Sequence, residues 1–341
     1  MTKVAELTMQ LKELLATGAF PPGSRFPSEY EIQERFNVSR FTANKAMTLL
    51  EKDGLLERGK RGSGTFVKRT VHFPKGWIAV IDNFNHQYNM MMLAGATEEA
   101  FANGYMLSIF RPEANGISKL LNLLNNSDCI GILCMAYQLD LFHENFSKTV
   151  IYLDGGVEFP NGRQAHSVMC DNYGAACDLM NKIIAAGKKE IVTLGIEKSL
   201  NRKLRMQGFC DTMLTCGIKD ANQRKFVMHH GSKHEVKIAL QKILQKFPDV
   251  DFIATDSDDI VFSIMKVWGN ERSNWQNKTN VSGFGNVHGI ADLHNIPSVD
   301  QHPWHIGSEG VKTLLEITGN NSTEDIVNIQ VPAEIVNAQF I

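Results

Sequence analysis

The sequence predicts two domains of different class: a small α+β head, then a larger α/β body built on parallel sheets. Three observations predict it. Between Phe26 and Val67, two helix-start signals follow each other closely and lead into a Gly-punctuated basic tip. From Trp77 onward, short apolar runs alternate with amphipathic stretches. The two parts also differ in charge. Residues 1–70 hold 12 Lys and Arg against 8 Asp and Glu, a net of +4, and the remainder holds 23 against 29, a net of −6. A basic head on an acidic body suits a chain whose head alone meets nucleic acid.

In the head, Ser28 and Glu31 have the spacing of a capping box, which predicts a helix from Glu29. Ile32 and Phe36, four apart, share one face. Asn37-Val38 is a short break, and Ser39 is a good N-cap for the next helix. Ala43, Ala46, Met47 and Leu50 recur at three and four and point inward. Arg40, Thr42, Asn44 and Lys45 are left at the outward N-terminal end, the end that a recognition helix places in the major groove. Gly54 ends the helix. Residues 55–58 and 65–67 read as two short strands, and Gly59-Lys60-Arg61-Gly62-Ser63-Gly64 between them forms a cationic tip suited to phosphates or the minor groove. Together these elements describe a winged helix-turn-helix that binds double-stranded DNA. The alternative is a winged helix of the same shape that binds protein.

The segment resembles the GntR-type DNA-binding domain of bacterial transcriptional regulators. Leu7 through Leu15 match that family's first helix, and Gly18-Ala19-Phe20-Pro21-Pro22-Gly23-Ser24-Arg25 matches its approach to the Pro27-Ser28-Glu29 motif. The resemblance covers the first 68 residues or so. It implies DNA contacts from Arg25, Ser39, Arg40, Thr42, Asn44 and Lys45, with Lys60, Arg61 and Gly62 on the wing. Arg40 is expected on phosphate or guanine. Two positions depart from the family. Tyr30 stands where it usually has Arg, and Asn44-Lys45 where it often has two basic residues. Asn pairs bidentately with adenine, which points to a different operator.

The chain has 341 residues, 43% hydrophobic and 21% charged, ordinary globular values. It is long enough for one or two large domains beyond the head. No early apolar segment and no 18-residue apolar run stands in the sequence, so neither a secretory signal nor a membrane span is expected, and the expected location is cytoplasmic. The six cysteines show no C-x-x-C spacing and suit buried thiols. No metal or cofactor is expected. Adjacent His229 and His230 on a strand would point to opposite faces. The glycines of 283–289 have the wrong spacing for a dinucleotide loop.

The boundary falls at residues 71–76, which follow the last wing strand and carry Pro74 and Gly76, residues that do not easily extend a sheet. The expected domains are therefore 1–70, a linker at 71–76, and a body at 77–341. Strand-like runs cover 78–81, 106–110, 130–134, 150–153, 190–194, 225–228, 252–254 and 280–284. Helical stretches lie between them, including 90–103, 175–186, 235–245 and 258–268. This alternation predicts parallel sheets covered on both faces. Ligands in such sheets lie beyond the carboxyl ends of the strands. That singles out 82–88, 111–113, 135–137, Asp154, 255–256 and 285–286.

The body resembles the periplasmic-binding-protein-type sensor domain of LacI/GalR regulators. The matching stretches are Gly104-Tyr105, Cys170-Asp171-Asn172, Arg205-Met206-Gln207-Gly208-Phe209, Ala254-Thr255-Asp256, Ser282-Gly283-Phe284-Gly285 and Val299-Asp300-Gln301, in the family's order over about 260 residues. The resemblance implies two lobes, about 77–168 with 301–321 and about 169–300 with 322–341, and a small molecule, most often a sugar, between them. A GntR head on such a sensor is the combination of arabinose-type repressors.

The effector contacts implied are Tyr88, Asn89, Asp154, Arg205, Asp256 and Gln301. A guanidinium presents a fixed fork of donors, which suits vicinal hydroxyls or a carboxylate. Each of the main candidates has a structural alternative: Arg205 an ion pair on a helix, Asp256 a helix cap, Tyr88 plain packing. Gly285-Asn286 replaces the acidic pair that usually grips the ligand. The expected function is a DNA-binding transcriptional regulator, a repressor controlled by a carbohydrate effector and acting as a homodimer on a pseudo-palindromic operator, without enzymatic activity. The alternatives are a dimer with a ligand-silent sensor, or an α/β enzyme with a regulatory head.

Overall fold

The computed structural model describes residues 3–60, 63–68, 74–82, 87–113, 116–135, 146–155, 165–196, 199–270, 279–287, 295–319 and 325–341. The chain divides into two compact units, Met1–Lys75 and Gly76–Ile341. No helix among the described residues is long and apolar enough to cross a membrane.

The head packs three helices, α1 (Lys3–Ala16), α2 (Glu29–Phe36) and α3 (Arg40–Lys52), with three short strands, β1 (Arg25–Phe26), β2 (Leu56–Arg58) and β3 (Thr65–Val67). The strands form an antiparallel sheet in the order β1-β3-β2. Strand β1 was not expected; it is two residues long and has no alternation to read. The capping box is present, with Ser28 and Glu31 bonding each other's backbone N–H. Asn37 takes the left-handed conformation, φ 49°, that ends α2, and Ser39 caps α3. Ala43, Ala46, Met47 and Leu50 are buried with Leu7, Leu11, Phe26 and Ile32. Gly54, φ 73°, stops α3 and turns the chain into the wing.

In the body, one six-stranded sheet has the order β14-β8-β7-β6-β4-β5, all parallel. Its strands are β4 (Gly76–Ile81), β5 (Tyr105–Phe110), β6 (Cys129–Cys134), β7 (Thr149–Leu153), β8 (His166–Cys170) and β14 (Asn328–Val331). A parallel four-stranded sheet has the order β10-β9-β11-β12. It comprises β9 (Ile191–Gly195), β10 (Lys225–Val227), β11 (Phe252–Thr255) and β12 (Asn280–Ser282). The first lobe carries α4 (Gln87–Ala102), α5 (Ile117–Asn125) and α10 (Pro303–Gly319), and the second α6 (Asn172–Ala185), α7 (Leu200–Thr215), α8 (Lys233–Lys246) and α9 (Asp258–Asn270). A small antiparallel pair joins β13 (Ser298–Asp300) to β15 (Glu334–Val336).

The end of the chain departs from the expected lobe division. Residues 322–341 do not all belong to the second lobe, because β14 extends the first lobe's sheet beside β8. Only after Val331 does the chain return, where β15 pairs with β13 and Ile335 packs into the second lobe's core. The first lobe likewise runs to Cys170 rather than 168, because all of β8 lies in its sheet.

Helices α4 and α10 cross at backbone distance. A Cβ at Gly95 would stand 1.9 Å from the Trp304 carbonyl oxygen, and one at Gly307 would stand 1.9 Å from the Met92 carbonyl oxygen. Only glycine lets the helices approach this closely, and the pair covers the core formed by Met92, Ala96, Ile306 and Val311. Gly95→Ala is expected to lower the body's unfolding free energy by about 1–3 kcal/mol, the usual cost of overpacking. Urea denaturation followed by circular dichroism measures it, and an unchanged midpoint would show that the crossing is looser than this.

Candidate functional site

In the head, Arg25, Arg40 and Lys60 line one groove of about 600 Å³ between the α2–α3 corner and the wing. Arg58 lines it too, with its guanidinium 3.2 Å from Glu51. The Arg25 guanidinium lies against the wing at Gly64, whose φ of 96° and lack of a Cβ leave room for it. Ser39 and Thr42 bond each other: the Ser39 hydroxyl accepts from the Thr42 N–H at 3.1 Å, and the two hydroxyls are 2.8 Å apart. Lys45 is exposed, its Nζ 5.0 Å from the centre of the Phe41 ring. Arg61 and Gly62 lie outside the described residues.

Sequence reasoning passed over Glu29. One of its carboxylate oxygens accepts from the Asn44 side-chain amide, and the other from Arg40 Nε at 3.4 Å. Arg40 also stacks on Tyr30, 4.9 Å from the ring centre. The residue that replaces the family's arginine thus supports Arg40 at the start of α3. The resulting face offers cations, an oriented amide and hydroxyls at a helix N-terminus, the chemistry of phosphate and base-edge contact.

In the body, a cavity of about 250 Å³ opens between the lobes at the carboxyl ends of the strands. Tyr88 and Asn89, from the first turn of α4, and Asp154, just after β7, line it from the first lobe. From the second lobe come Asn201, Arg202 and Arg205 on α7, Ser257 and Asp259 around the start of α9, and Phe284, Gly285 and Val287 after β12. Gln301 reaches it from the crossover after β13.

Arg205 is only 6% exposed. Its Nε donates to Asn172 Oδ1 at 2.7 Å and its Nη1 to the Asp256 carbonyl oxygen at 2.9 Å, while Phe284 covers the guanidinium at 4.1 Å. Its direct partners are therefore neutral. Among the lining side chains, Asn201 Oδ1 is buried without a hydrogen-bond partner among the described residues, and Gln301 Nε2 is buried with only the weakly accepting Cys170 sulfur beside it. Such groups are costly to bury unpaired, and one donor with one acceptor suits a hydroxylated ligand. Burial pushes the Asp154 carboxyl up to about 6, against the opposing pull of Arg205 and Tyr88. Asp154 also has φ 50°, and Asn201 Nδ2 reaches across the lobes to its carbonyl oxygen at 2.6 Å.

Asp256 does not line the cavity. Its carboxylate is fully buried and accepts from the Ile196 N–H at 2.7 Å and from Arg202 Nη1 at 3.1 Å. It therefore positions Arg202 and, through its carbonyl, Arg205. Gly285 contributes backbone alone where the family has an acid, and the Asn286 amide is spent on Asp300 at 2.9 Å. Arg202 and Asn201 were missed. Arg202 had a legible signal, standing three residues before Arg205 on the same helix face.

Residues 77–339 match the family described as periplasmic binding proteins and sugar binding domain of LacI family. The chain belongs to this family. Residues 3–67 match the gntR family of bacterial regulatory proteins, so the LacI-type body carries a gntR-type head. The histidine utilization repressor of Pseudomonas aeruginosa is 38% identical over 81 residues, 24% of this chain and 30% of that protein. The arabinose metabolism transcriptional repressor of Geobacillus stearothermophilus is 36% identical over 69 residues, 20% of this chain and 19% of that one. The matched part spans less than a third of either relative. A transcriptional regulator CelR–cellobiose complex shares the fold, with TM-score 0.63 at 16% identity over 88% of this chain and 90% of that one.

The raised Asp154 has a consequence for the LacI-type body. The folded protein holds this proton up to about pH 6, whereas an unperturbed carboxyl loses it near 3.8. Between those values the native state binds more protons than the unfolded state, so this group costs stability as pH rises. Asp154→Asn is therefore expected to raise the melting temperature of the unliganded protein at pH 7–8, with the gain vanishing by about pH 4. Thermal melts across pH check it, and a pH-independent difference would place the Asp154 carboxyl in a different electrostatic environment.

Proposed function

We propose that this protein is a sequence-specific DNA-binding transcriptional regulator, a repressor, controlled by a small molecule bound between the lobes of its body. The observation that carries the reading is the inter-lobe cavity with its incompletely paired buried amide groups and Arg205, in one chain with the cationic groove of the head. The names of the matched relatives, repressors of histidine utilization and arabinose metabolism, support it. The cavity is then a binding site, not a catalytic one, and the protein works in the cytoplasm.

The effector is a sugar or sugar derivative. The cavity is below the roughly 300–1,000 Å³ of drug-sized sites, which favours one small polar ring over an oligomer. Arg205 and Gln301 donate to its oxygens, Asp154 and Asn201 accept from its hydroxyls, and Phe284 and Val287 cover its apolar face. The ligand acts by population shift: it binds one lobe arrangement better than the other and stabilises that arrangement by its differential affinity. Two bodies pair about a two-fold axis, so the heads read a pseudo-palindrome. A change in lobe angle alters the spacing of the heads, and a badly spaced head forfeits phosphate contacts, which dominate affinity.

A thermal-shift screen of pentoses, hexoses, sugar acids and sugar alcohols tests the effector side. One class is expected to raise the melting temperature, by an amount that grows with ligand concentration. Arg205→Ala is expected to abolish that rise and leave operator affinity intact. A flat screen on the wild type would point to a ligand-silent dimer. In gel-shift titrations Lys60→Ala is expected to weaken binding to all duplexes alike and reduce the salt slope by about one.

A further inference from the structure

The contact between Glu29 and Asn44 decides more than the packing of two helices. A carboxylate only accepts hydrogen bonds, so the Asn44 atom that faces Glu29 must be the amide nitrogen. That settles which way the amide points. With the N–H trans to the carbonyl committed to Glu29, the second N–H and the carbonyl oxygen remain side by side on the other edge. A side-by-side donor and acceptor on Asn is the complement of adenine, whose N7 accepts and whose N6 amino group donates in the major groove. Asn44 lies in the second turn of α3, on the helix whose N-terminal half carries Arg40 and Thr42. The same carboxylate holds Arg40 through its other oxygen, and Tyr30 stacks under that guanidinium.

We infer that Glu29 is a positioning residue that locks the Asn44 amide in the orientation that reads an adenine in each operator half-site. The inference rests on the proposed DNA-binding function. Glu29 has a second effect. As an anion beside Arg40 it tempers that cation's attraction for any phosphate, so it favours sequence reading over indiscriminate backbone binding. Gln at this position keeps an acceptor but adds a donor. The Asn44 amide then has two orientations, and in one of them its carbonyl oxygen is turned toward residue 29.

The experiment is selection of binding sites from a randomised duplex library with the full-length wild type, Asn44→Ala and Glu29→Gln, followed by titration of the selected duplex and its single-base variants. Melting temperatures of each protein establish that it is folded. The wild-type consensus is expected to hold an adenine at one symmetric position per half-site, and replacing it is expected to weaken binding roughly ten- to hundredfold. Replacing that adenine with 7-deazaadenine, which lacks the N7 acceptor, is expected to weaken binding comparably. Asn44→Ala is expected to lose the preference at that position alone. Glu29→Gln is expected to flatten it as well, while its affinity for random duplex DNA holds or rises. A purely structural role for Glu29 moves the other way, lowering affinity for every sequence and leaving the adenine preference in place; that result overturns the inference. So does an unchanged consensus in Asn44→Ala. Failure of the wild type to enrich any sequence would instead overturn the DNA-binding reading itself.

Discussion

The Arg205 guanidinium cannot give up its charge, yet the fold buries it between the lobes. A buried cation with no compensating groups costs several kcal/mol, and here the compensation is assembled from distant parts of the chain. Asn172, at the start of α6, supplies an oxygen, and its own amide is fixed by donating to the Cys170 carbonyl at 3.0 Å. Asp256 supplies a carbonyl, and Phe284 supplies a ring face. Asp154 and Asp258 act at longer range, and burial raises both carboxyls to about 6 even with the cation near. The ends of β8, β11 and β12 converge where these groups meet, so Arg205 draws its partners from residues that follow strands of both sheets.

The cleft follows from the same arrangement. Helices α4, α7 and α9 all begin beside the cavity, which brings their first-turn side chains and positive ends to the place where strands stop. Asp258 holds the far side rigid, accepting from the Ser298 hydroxyl at 2.8 Å and the Val287 N–H at 2.7 Å beneath Gly283 and Gly285. This fixed floor, with Asn201 bridging to Asp154 above it, frames the cavity between the lobes. The head works differently. Its polar groups face solvent, where single ion pairs are weak, and the side chains at the start of α3 are oriented instead by the hydrogen bonds of Glu29, Ser39 and Thr42.

Much of this was legible in the sequence because it is local. Ser28, Glu31 and Ser39 announce their helices through bonds that span three residues, and eight apolar runs announce strands close to where they lie. Strands β8, β13, β14 and β15 escaped notice. They are three to five residues long, carry polar residues such as His166, Ser167, Asn328 and Gln330, and owe their pairing to partners as far as 161 residues away. Tyr88, Asn89, Asp154, Arg205 and Gln301 were all indicated by position and all line the cavity.

The sequence by itself determined the class of each domain, the helix starts, the basic character of the head and the strand ends around which a ligand site forms. These depend on periodicity and on contacts within a few residues. Only the tertiary structure decided that Asp256 turns inward to hold Arg202, that Asn201 bridges to Asp154, that the chain returns to the first lobe at β14, and that Glu29 holds Asn44. Which donor a buried carboxylate accepts from depends on where other helices and strands place their side chains, and no local pattern carries that information.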